Sequence, residues 1–271
     1  MIRLALRQRP PLRLSLAGIT PETLGALSET EIARLPLRRG NRRETLGDWF
    51  RVERAGGAAE RLVIAADDDR LDEIGAGMST GKIVVAGSAG AHAGLAMAGG
   101  ALLIEGNAGY GAATAMRGGR LSIAGNAGDQ LGGALPGDNL GMREGLVLVG
   151  GSAGSGVGDR MRRGTIVIAG DVGTFCAARL FAGTIVVGGR LGAHPGILMR
   201  RGSLVTLGPA PKALPGFADC GVQDLTFGKL LARFLAAEGF PTLAERMGPL
   251  RRWLGDVAVP GKGEILALSN G

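Results

Sequence analysis

Apolar side chains alternate with other residues in short segments along the middle of the chain, and each segment follows a glycine. Examples are "MSTGKIVVAGSAG" (78–90), "MRGGRLSIAGNAG" (116–128) and "MRRGTIVIAGDVG" (161–173). The register glycines are Gly81, Gly100, Gly119, Gly145, Gly164, Gly183 and Gly202. Five of the six steps between them are nineteen residues long and one is twenty-six, which predicts an insertion between Gly128 and Met142. Such a period is typical of a solenoid whose units bury their apolar faces only against each other.

Three columns of apolar side chains follow from this register. The second and fourth residues after the glycine are Ile83/Val85, Leu102/Ile104, Leu121/Ile123, Val147/Val149, Ile166/Ile168, Ile185/Val187 and Leu204/Thr206. This alternation predicts a strand with one face turned inward. Three positions before the glycine stand Met78, Met97, Met116, Met142, Met161, Leu180 and Met199. We expect these flexible side chains to fill the interior, since a metal site would require other soft ligands beside them.

A unit of nineteen residues is too short for a strand, a helix and two connections, but it suits one turn of a parallel β-helix. The glycines would lie at corners that require a positive φ or a close approach of two backbones. The pattern therefore predicts an all-β solenoid of about seven turns, roughly 34 Å long at a spacing of about 4.8 Å. A degenerate opening turn is expected at "RLVIAADDDRLDEI" (61–74), with Leu62 and Ile64 in the register of Gly81 and Ile83.

The two flanks differ in pattern from the repeats. We expect an amino-terminal α/β cap at 1–60, the repeat domain at 61–208 and a helical carboxy-terminal cap at 209–271. The first cap begins with the strand-like "IRLALRQ", and two short helices are predicted by Thr20 before a proline and by the capping box Ser28…Glu31.

The carboxy-terminal flank predicts one longer helix. In "QDLTFGKLLARFLAAEGF" (223–240), Leu230, Leu231, Phe234 and Leu235 make an amphipathic helix that ends at Gly239.

The segment "GMSTGK" (77–82) resembles a phosphate-binding loop, but its spacing does not fit. Gly77 stands four positions before Gly81, and Ile83 follows Lys82 where a serine or threonine should reach Mg²⁺. Both glycines belong to the repeat, so we expect Lys82 to face outward without a phosphate.

Composition narrows the class of protein further. The 271 residues include 50 glycines and only 4% aromatic residues, so the glycine content reflects the repeat and not disorder. The net charge of +7 is scattered, and one tyrosine with two tryptophans gives no stacking platform for a nucleic acid. The two cysteines, Cys176 and Cys220, indicate a reducing compartment. Without an apolar run of eighteen residues or a signal peptide, we expect a cytoplasmic protein that uses neither membrane nor nucleic acid.

The residues predict no catalytic, cofactor-binding or metal-binding site. His92 and His194 occupy the same column but lie five turns apart, about 24 Å, so they cannot act together. The acidic cluster Asp67, Asp68, Asp69, Asp72 and Glu73 has no histidine beside it, and a solvated edge of the cap explains it. Cys176 has no base nearby in the sequence and is expected to be a small buried thiol.

Taken with its flanks, the repeat resembles a known family. The turns are preceded by "LPLRRGNRRETLGDWFRVE" (35–53) and followed by "RRWLGDVAVPGKGEIL" (251–266), and nearly the whole chain is similar to the C subunit of formylmethanofuran dehydrogenase. The repeats alone are less specific, because the carboxy-terminal domain of the glutamate synthase large subunit has similar ones. The two flanks favour the formylmethanofuran dehydrogenase family.

The resemblance implies a right-handed β-helix in a non-catalytic subunit. One setting is the bacterial formyltransferase/hydrolase complex of one-carbon metabolism, with a methanofuran-type formyl carrier, tetrahydromethanopterin and release of formate. Its partners would be an amidohydrolase-like hydrolase subunit, a formyltransferase subunit and a dehydrogenase-B-like subunit. The 27 arginines and 4 lysines, with many alanines, favour this bacterial complex.

Two alternatives remain open. The same scaffold could serve a true molybdenum or tungsten formylmethanofuran dehydrogenase. The chain could also be an independent β-helix enzyme, such as an acyltransferase or a polysaccharide lyase. A period of nineteen does not fit the hexapeptide acyltransferases, and a lyase groove would require columns of acidic and aromatic residues.

The third position after each register glycine should face away from the interior, yet six of its seven residues are apolar. This outer column consists of Val84, Leu103, Ser122, Leu148, Val167, Val186 and Val205. Either the helix at 230–235 or the amino-terminal segment covers it, or a partner subunit packs there. The sequence interpretation favours the partner, because a scaffold requires a stable apolar contact.

Overall fold

The structure, a computed structural model, describes residues 1–39, 42–56, 60–211 and 214–269. Its strands are β1 (Ile2–Leu6), β2 (Leu14–Ser15), β3 (Pro36–Arg39), β4 (Arg42–Thr45), β5 (Phe50–Arg54), β6 (Arg61–Ala65), β7 (Leu71–Asp72), β8 (Lys82–Val85), β9 (Ala101–Ile104), β10 (Arg117–Ile123), β11 (Glu144–Val149), β12 (Thr165–Ile168), β13 (Thr184–Val187), β14 (Arg201–Thr206), β15 (Ala218–Gln223), β16 (Leu250–Gly255) and β17 (Lys262–Leu268). The helices are α1 (Pro21–Leu24), α2 (Glu29–Ala33), α3 (Leu46–Trp49), α4 (Thr226–Ala237) and α5 (Pro241–Glu245). Gly40 and Asn41 of the amino-terminal flank motif lie outside the described residues.

Most of the described chain forms one long, largely parallel sheet. Thirteen strands follow one another in the order β15-β16-β17-β14-β13-β12-β11-β10-β9-β8-β6-β1-β5, and the ten from β17 to β1 are parallel neighbours. A small second sheet has the order β4-β3-β2-β7. The fold is thus mostly sheet with few helices.

The predicted register of the repeat strands is confirmed. Ile83, Leu102, Leu121, Val147, Ile166, Ile185 and Leu204 are successive partners across the parallel strands, and all are buried. Leu121 pairs with Val147 across the step of twenty-six, so the insertion lies in the connection and leaves the register intact. The methionine column, with Leu180, is also fully buried.

A second set of contacts joins the same units. Isolated parallel bridges link Ala89, Ala108, Ala127, Ala153, Val172 and Leu191 in turn. Each unit therefore contacts the next along its strand and again at this bridge residue, which stands eight positions after the register glycine. All seven register glycines have a positive φ, and at Gly100 (φ 73°) a Cβ atom would stand only 2.7 Å from the backbone oxygen of Gly81. The glycine requirement is therefore both conformational and steric.

The predicted alignment of the opening turn is wrong by two residues. Leu62 pairs with Ile83 and Ile64 with Val85, a step of twenty-one and not nineteen. The corner that follows keeps the period of nineteen residues. The backbone N–H of Gly94 donates to the backbone oxygen of Ile74. Gly75 and Gly94, nineteen residues apart, both have a positive φ. Two extra residues are therefore accommodated between β6 and this corner, in the acidic segment.

The carboxy-terminal segment is not only helical. Besides α4 and α5 it contains β15, β16 and β17, and β17 adds to β14 as a further parallel strand, with Ile265 beside Leu204. Within α4, Leu231 and Leu235 are buried as predicted, whereas Leu230 is 58% exposed.

The outer column is covered largely by the chain itself, so the favoured interpretation of a partner is wrong for its second half. Leu148, Val167, Val186 and Val205 are buried in one cluster with Leu231, Leu235, Leu243, Leu250 and Leu266. The amphipathic helix α4 buries its apolar face on this surface. Because both belong to one chain, the contact does not carry the cost of association between two molecules.

Candidate functional site

The two histidines lie at the same corner position in different units and have different neighbours. His92 and His194 have φ values of 59° and 58°. His92 meets the ring of Tyr110 edge-on at 5.5 Å, while His194 stacks on Phe175 at 5.3 Å. The four units between them keep the histidines apart. The imidazole Nδ1 of His92 is buried and has no hydrogen-bond partner among the described residues.

The cysteines are both free, and they differ in reactivity. Cys176 is buried, and this burial raises the pKa of its thiol to about 12. A thiolate nucleophile is therefore suppressed at that position. Cys220 is exposed on β15, and its Sγ lies 3.6 Å from the backbone oxygen of Ala218.

The acidic cluster is held by arginines of the amino-terminal segment. Arg9 contacts Asp68 at 3.2 Å, and Arg13 donates to Asp72 at 2.6 Å. The expected solvated edge describes Asp69 but not Asp68, which is only 4% exposed. The carboxylates thus attach the first segment to the opening turn. Within the described ranges, no group of three or more histidine, cysteine, aspartate or glutamate side chains is placed to hold a metal ion.

Polar side chains connect successive units in a second column, which sequence reasoning missed. Each accepts a hydrogen bond from the backbone N–H of the residue one unit further on. The chain of acceptors is Asp67, Ser88, Asn107, Asn126, Ser152 and Asp171, ending at the N–H of Arg190. We call it the polar ladder. The signal was present in the sequence, because from Ser88 onward these side chains fall at the seventh position after a register glycine.

The polar ladder affects the acidity of its two carboxylates. The backbone N–H groups of Ser88 and Arg190 donate to Asp67 and Asp171 respectively, and these hydrogen bonds lower the pKa of each carboxyl group. The polar ladder thus joins the side chain of each unit to the backbone of the next.

A groove formed by the corners that follow β11, β12 and β13 is the main candidate site for binding another molecule. We call it the corner groove and define it by Phe175, Arg179, Phe181, Ile197, Leu198 and Arg200. It consists of two adjoining depressions of about 300 and 360 Å³ that share Arg179 and Leu198. Sequence reasoning missed it, although Phe175 stands at a corner position that two other units fill with glycine, Gly111 and Gly156, which was a usable signal.

An ion pair and hydrogen bonds hold the arginine side chains at the corner groove in place. Asp159, buried at the base, accepts from Arg179 Nε at 2.8 Å and from its Nη2 at 2.6 Å. This pair raises the pKa of Arg179. Beside it, Arg160 donates to the backbone oxygen of Asp138 and the side chain of Asn139, both in the insertion. The insertion therefore forms one wall of the groove.

No helix within the described part of the chain is long and apolar enough to cross a bilayer. Lys82 is exposed, as its place in the repeat predicts.

Comparison with known proteins identifies relatives over short and long alignments. No family model matches the chain. It is 43% identical over 90 residues to the C subunit of the formyltransferase/hydrolase complex Fhc of Methylorubrum extorquens, which covers 33% of this chain and 33% of that protein. Against the C subunit of molybdenum-containing formylmethanofuran dehydrogenase 1 of Methanosarcina barkeri the identity is 39% over 84 residues, with 30% and 28% covered. The chain thus aligns with no more than about a third of these curated relatives.

The structural comparison extends over the whole chain. The crystal structure of the formyltransferase/hydrolase complex FhcABCD from Methylorubrum extorquens, in complex with methylofuran, contains a chain that matches with a TM-score of 0.92. The identity is 43%, and the match covers 98% of this chain and 99% of the other.

Proposed function

The chain belongs to the C-subunit family represented in the Methylorubrum extorquens formyltransferase/hydrolase complex, and we propose that it is the scaffold subunit of such a complex. The single observation that carries this proposal is the match at 43% identity over 99% of a chain from that complex. The complex would hydrolyse and transfer formyl groups in tetrahydromethanopterin-linked one-carbon metabolism. It would use a methylofuran-type carrier on partner subunits.

The proposed role is non-catalytic. Two observations support it: the histidines lie five units apart, and the thiol of Cys176 is buried with a pKa raised to about 12. A nucleophile, a base and an orienting group must lie within hydrogen-bond reach of one another to act together. The partners would be hydrolase, formyltransferase and dehydrogenase-B-like subunits, and the compartment would be the cytoplasm, in agreement with two unpaired cysteines.

The proposal includes the finer architecture. We infer that the parallel strands and the second set of bridges belong to a right-handed β-helix at 61–208, between an amino-terminal cap at 1–60 and a carboxy-terminal cap at 209–271. The support is the constant register of buried partners in every unit from β8 to β14.

The test is to purify the tagged chain from its native cells and identify the proteins that accompany it. We expect hydrolase and formyltransferase subunits in fixed ratio and formyl transfer by the complex, with no turnover by the chain alone. Turnover by the pure chain that a single substitution abolishes would contradict the non-catalytic role.

The second candidate is the scaffold of a molybdenum-containing formylmethanofuran dehydrogenase, which the Methanosarcina barkeri relative favours. Metal analysis of the purified complex separates the two. Stoichiometric molybdenum or tungsten supports the dehydrogenase, and its absence from an active complex supports the formyltransferase/hydrolase.

A further inference from the structure

The corner groove exposes a group of large apolar side chains that the described chain covers only in part, since His194 stacks on Phe175. Phe175 is 45% exposed, Ile197 37% and Leu198 38%. They lie together around two adjoining depressions, whereas most large apolar side chains on the other faces are buried. Contiguous exposed apolar surface with polar margins is typical of a protein interaction site.

The backbone at these positions is held in a conformation that bulky residues rarely adopt. Phe175 and Leu198 have φ values of 61° and 58°. In the other units the same corner position holds His92, Gly111, Gln130, Gly156 and His194, all with a positive φ, and only the two glycines adopt the left-handed region without penalty. A bulky residue in this region carries a cost that is often found at functional sites.

The lining of the corner groove carries more basic than acidic side chains. Its charged residues are Arg160, Arg179 and Arg200 against Asp159, which is already paired with Arg179. Two further acidic residues lie close by: the buried Asp256 accepts from the backbone N–H of Leu198 at 3.0 Å, and Asp138 accepts from Arg160 through its backbone oxygen. Within the described ranges Arg160 and Arg200 form no ion pair, and Arg200 instead lies over the ring of Phe181 at 5.1 Å.

We propose that the corner groove is the docking site for an acidic segment of a partner subunit, which inserts an apolar side chain between Phe175 and Leu198. This inference rests on the proposed function and assigns one face of the scaffold to one kind of contact. The unpaired arginines supply complementary charge, and the aromatic and aliphatic centre supplies the anchor pocket that protein interfaces use.

The covered outer column supports this choice of face. The helix α4 already occupies the apolar surface over β11 to β14, so a partner cannot use that surface without displacing it. The corner groove lies among the same units and is free of such a cover.

The first test uses the assembled complex with a photo-crosslinking amino acid at position 198. We expect a crosslinked peptide from another subunit that contains at least two aspartate or glutamate residues near the crosslink. The matched control places the same amino acid at position 230, which is 58% exposed on α4, and should give no such product. A crosslink to a second copy of this chain, to the formyl carrier or to a peptide without acidic residues overturns the proposal.

The second test reverses the charge. Arg160→Glu with Arg200→Glu should weaken association with the partner by about tenfold or more, with release at lower salt. Arg61→Glu with Arg233→Glu makes the same change in net charge on exposed arginines elsewhere and should have no effect. Circular dichroism and the thermal midpoint of each isolated variant confirm that the fold is retained.

The outcomes separate the two proposals. If the wild-type chain brings no partner subunits, the proposed function fails. If the complex assembles but position 198 gives no crosslink and the double variant assembles like wild type, the corner groove proposal fails while the proposed function stands.

Discussion

Ile166 lies between Val147 and Ile185 in the parallel sheet and is fully buried. We expect Ile166→Asp to unfold the protein, because it places an unpaired carboxylate in the interior at a cost of several kcal/mol. Domains of this kind are stable by only about 5–15 kcal/mol. The measurement is the free energy of unfolding in urea, with expression level as a first indication.

Lys82→Ala is the control for Ile166→Asp. Lys82 begins β8 with its side chain exposed, so its loss should change stability by no more than about 0.5 kcal/mol. A folded Lys82→Ala variant that loses function would instead revive a phosphate-binding role for this loop.

The pH dependence of stability can be traced to single carboxylates of the polar ladder. The pKa of Asp171 is lowered chiefly by the backbone N–H of Arg190, so its charged form is favoured by folding. Its stabilising effect is therefore present above the ordinary pKa near about 3.9 and is lost as the pH falls through the lower folded value. Asp171→Asn keeps the acceptor oxygen, as Asn107 and Asn126 do, but removes the charge.

For Asp171→Asn we expect a loss of stability relative to wild type at pH 7 that shrinks as the pH falls below the ordinary carboxyl pKa of about 3.9. Urea midpoints at pH 7 and at acid pH measure it. Asp138→Asn, whose exposed carboxylate accepts no hydrogen bond among the described residues, should show the same small difference at both. A constant gap between Asp171→Asn and wild type would exclude this linkage.

At the scale of the element, α4 stabilises the sheet through one face. Leu235 is fully buried in the cluster with Val167 and Val186. Leu235→Ala should cost about 2–5 kcal/mol, as is usual for a large-to-small change in a core. Urea unfolding followed by circular dichroism measures it.

Leu230→Ala, in the same helix, provides the matched control because its side chain is 58% exposed. Its cost should stay within about 0.5 kcal/mol. Equal costs at the two positions would show that α4 does not bind the sheet through the face described here.

The sequence predicted the repeat strands and α4 because both follow from periods that single side chains obey. Ile83 and Leu102 stand nineteen residues apart and pair as the period requires. The register of the opening turn could not be predicted from the same period. Its two extra residues change only the connection and leave the strand pattern of Leu62 and Ile64 unaltered.

The corner groove and the cover of the outer column could not be predicted in the same way. An apolar residue such as Val186 is equally consistent with a partner subunit and with a helix of its own chain. The choice depends on how the segment after residue 208 folds back, a long-range contact that no local period specifies. Phe175 and Leu198 come together only because their units are adjacent.

At the scale of the whole molecule, one repeat unit should be removable without loss of the fold. Deletion of 101–119 removes one period and brings Leu121 beside Ile83 in place of Leu102. Because repeat proteins are stabilised mainly by contacts between neighbouring units, we expect a folded protein with a lower thermal midpoint and cooperative unfolding. Circular dichroism during heating measures both.

Deletion of 101–120 is the control, one residue longer. It leaves the connection one residue short, and a slip of one residue would turn the inward side chains of that strand outward. We expect it to be unfolded or strongly destabilised. Two equally stable deletions would show that the period does not fix the register.

The antiparallel strands at the two ends of the long sheet bear on self-assembly. Within the described residues the long sheet ends at β5 and β15, so a further copy of the chain would extend it by pairing with one of these strands. On β5, Arg51 pairs with Glu53 at 3.1 Å, while on β15 the register shifts between Asp219 and Val222. Charges and bulges on the outermost strands hinder pairing with another molecule. These two edges therefore oppose growth of the sheet into fibrils, to which open parallel strands would otherwise be prone.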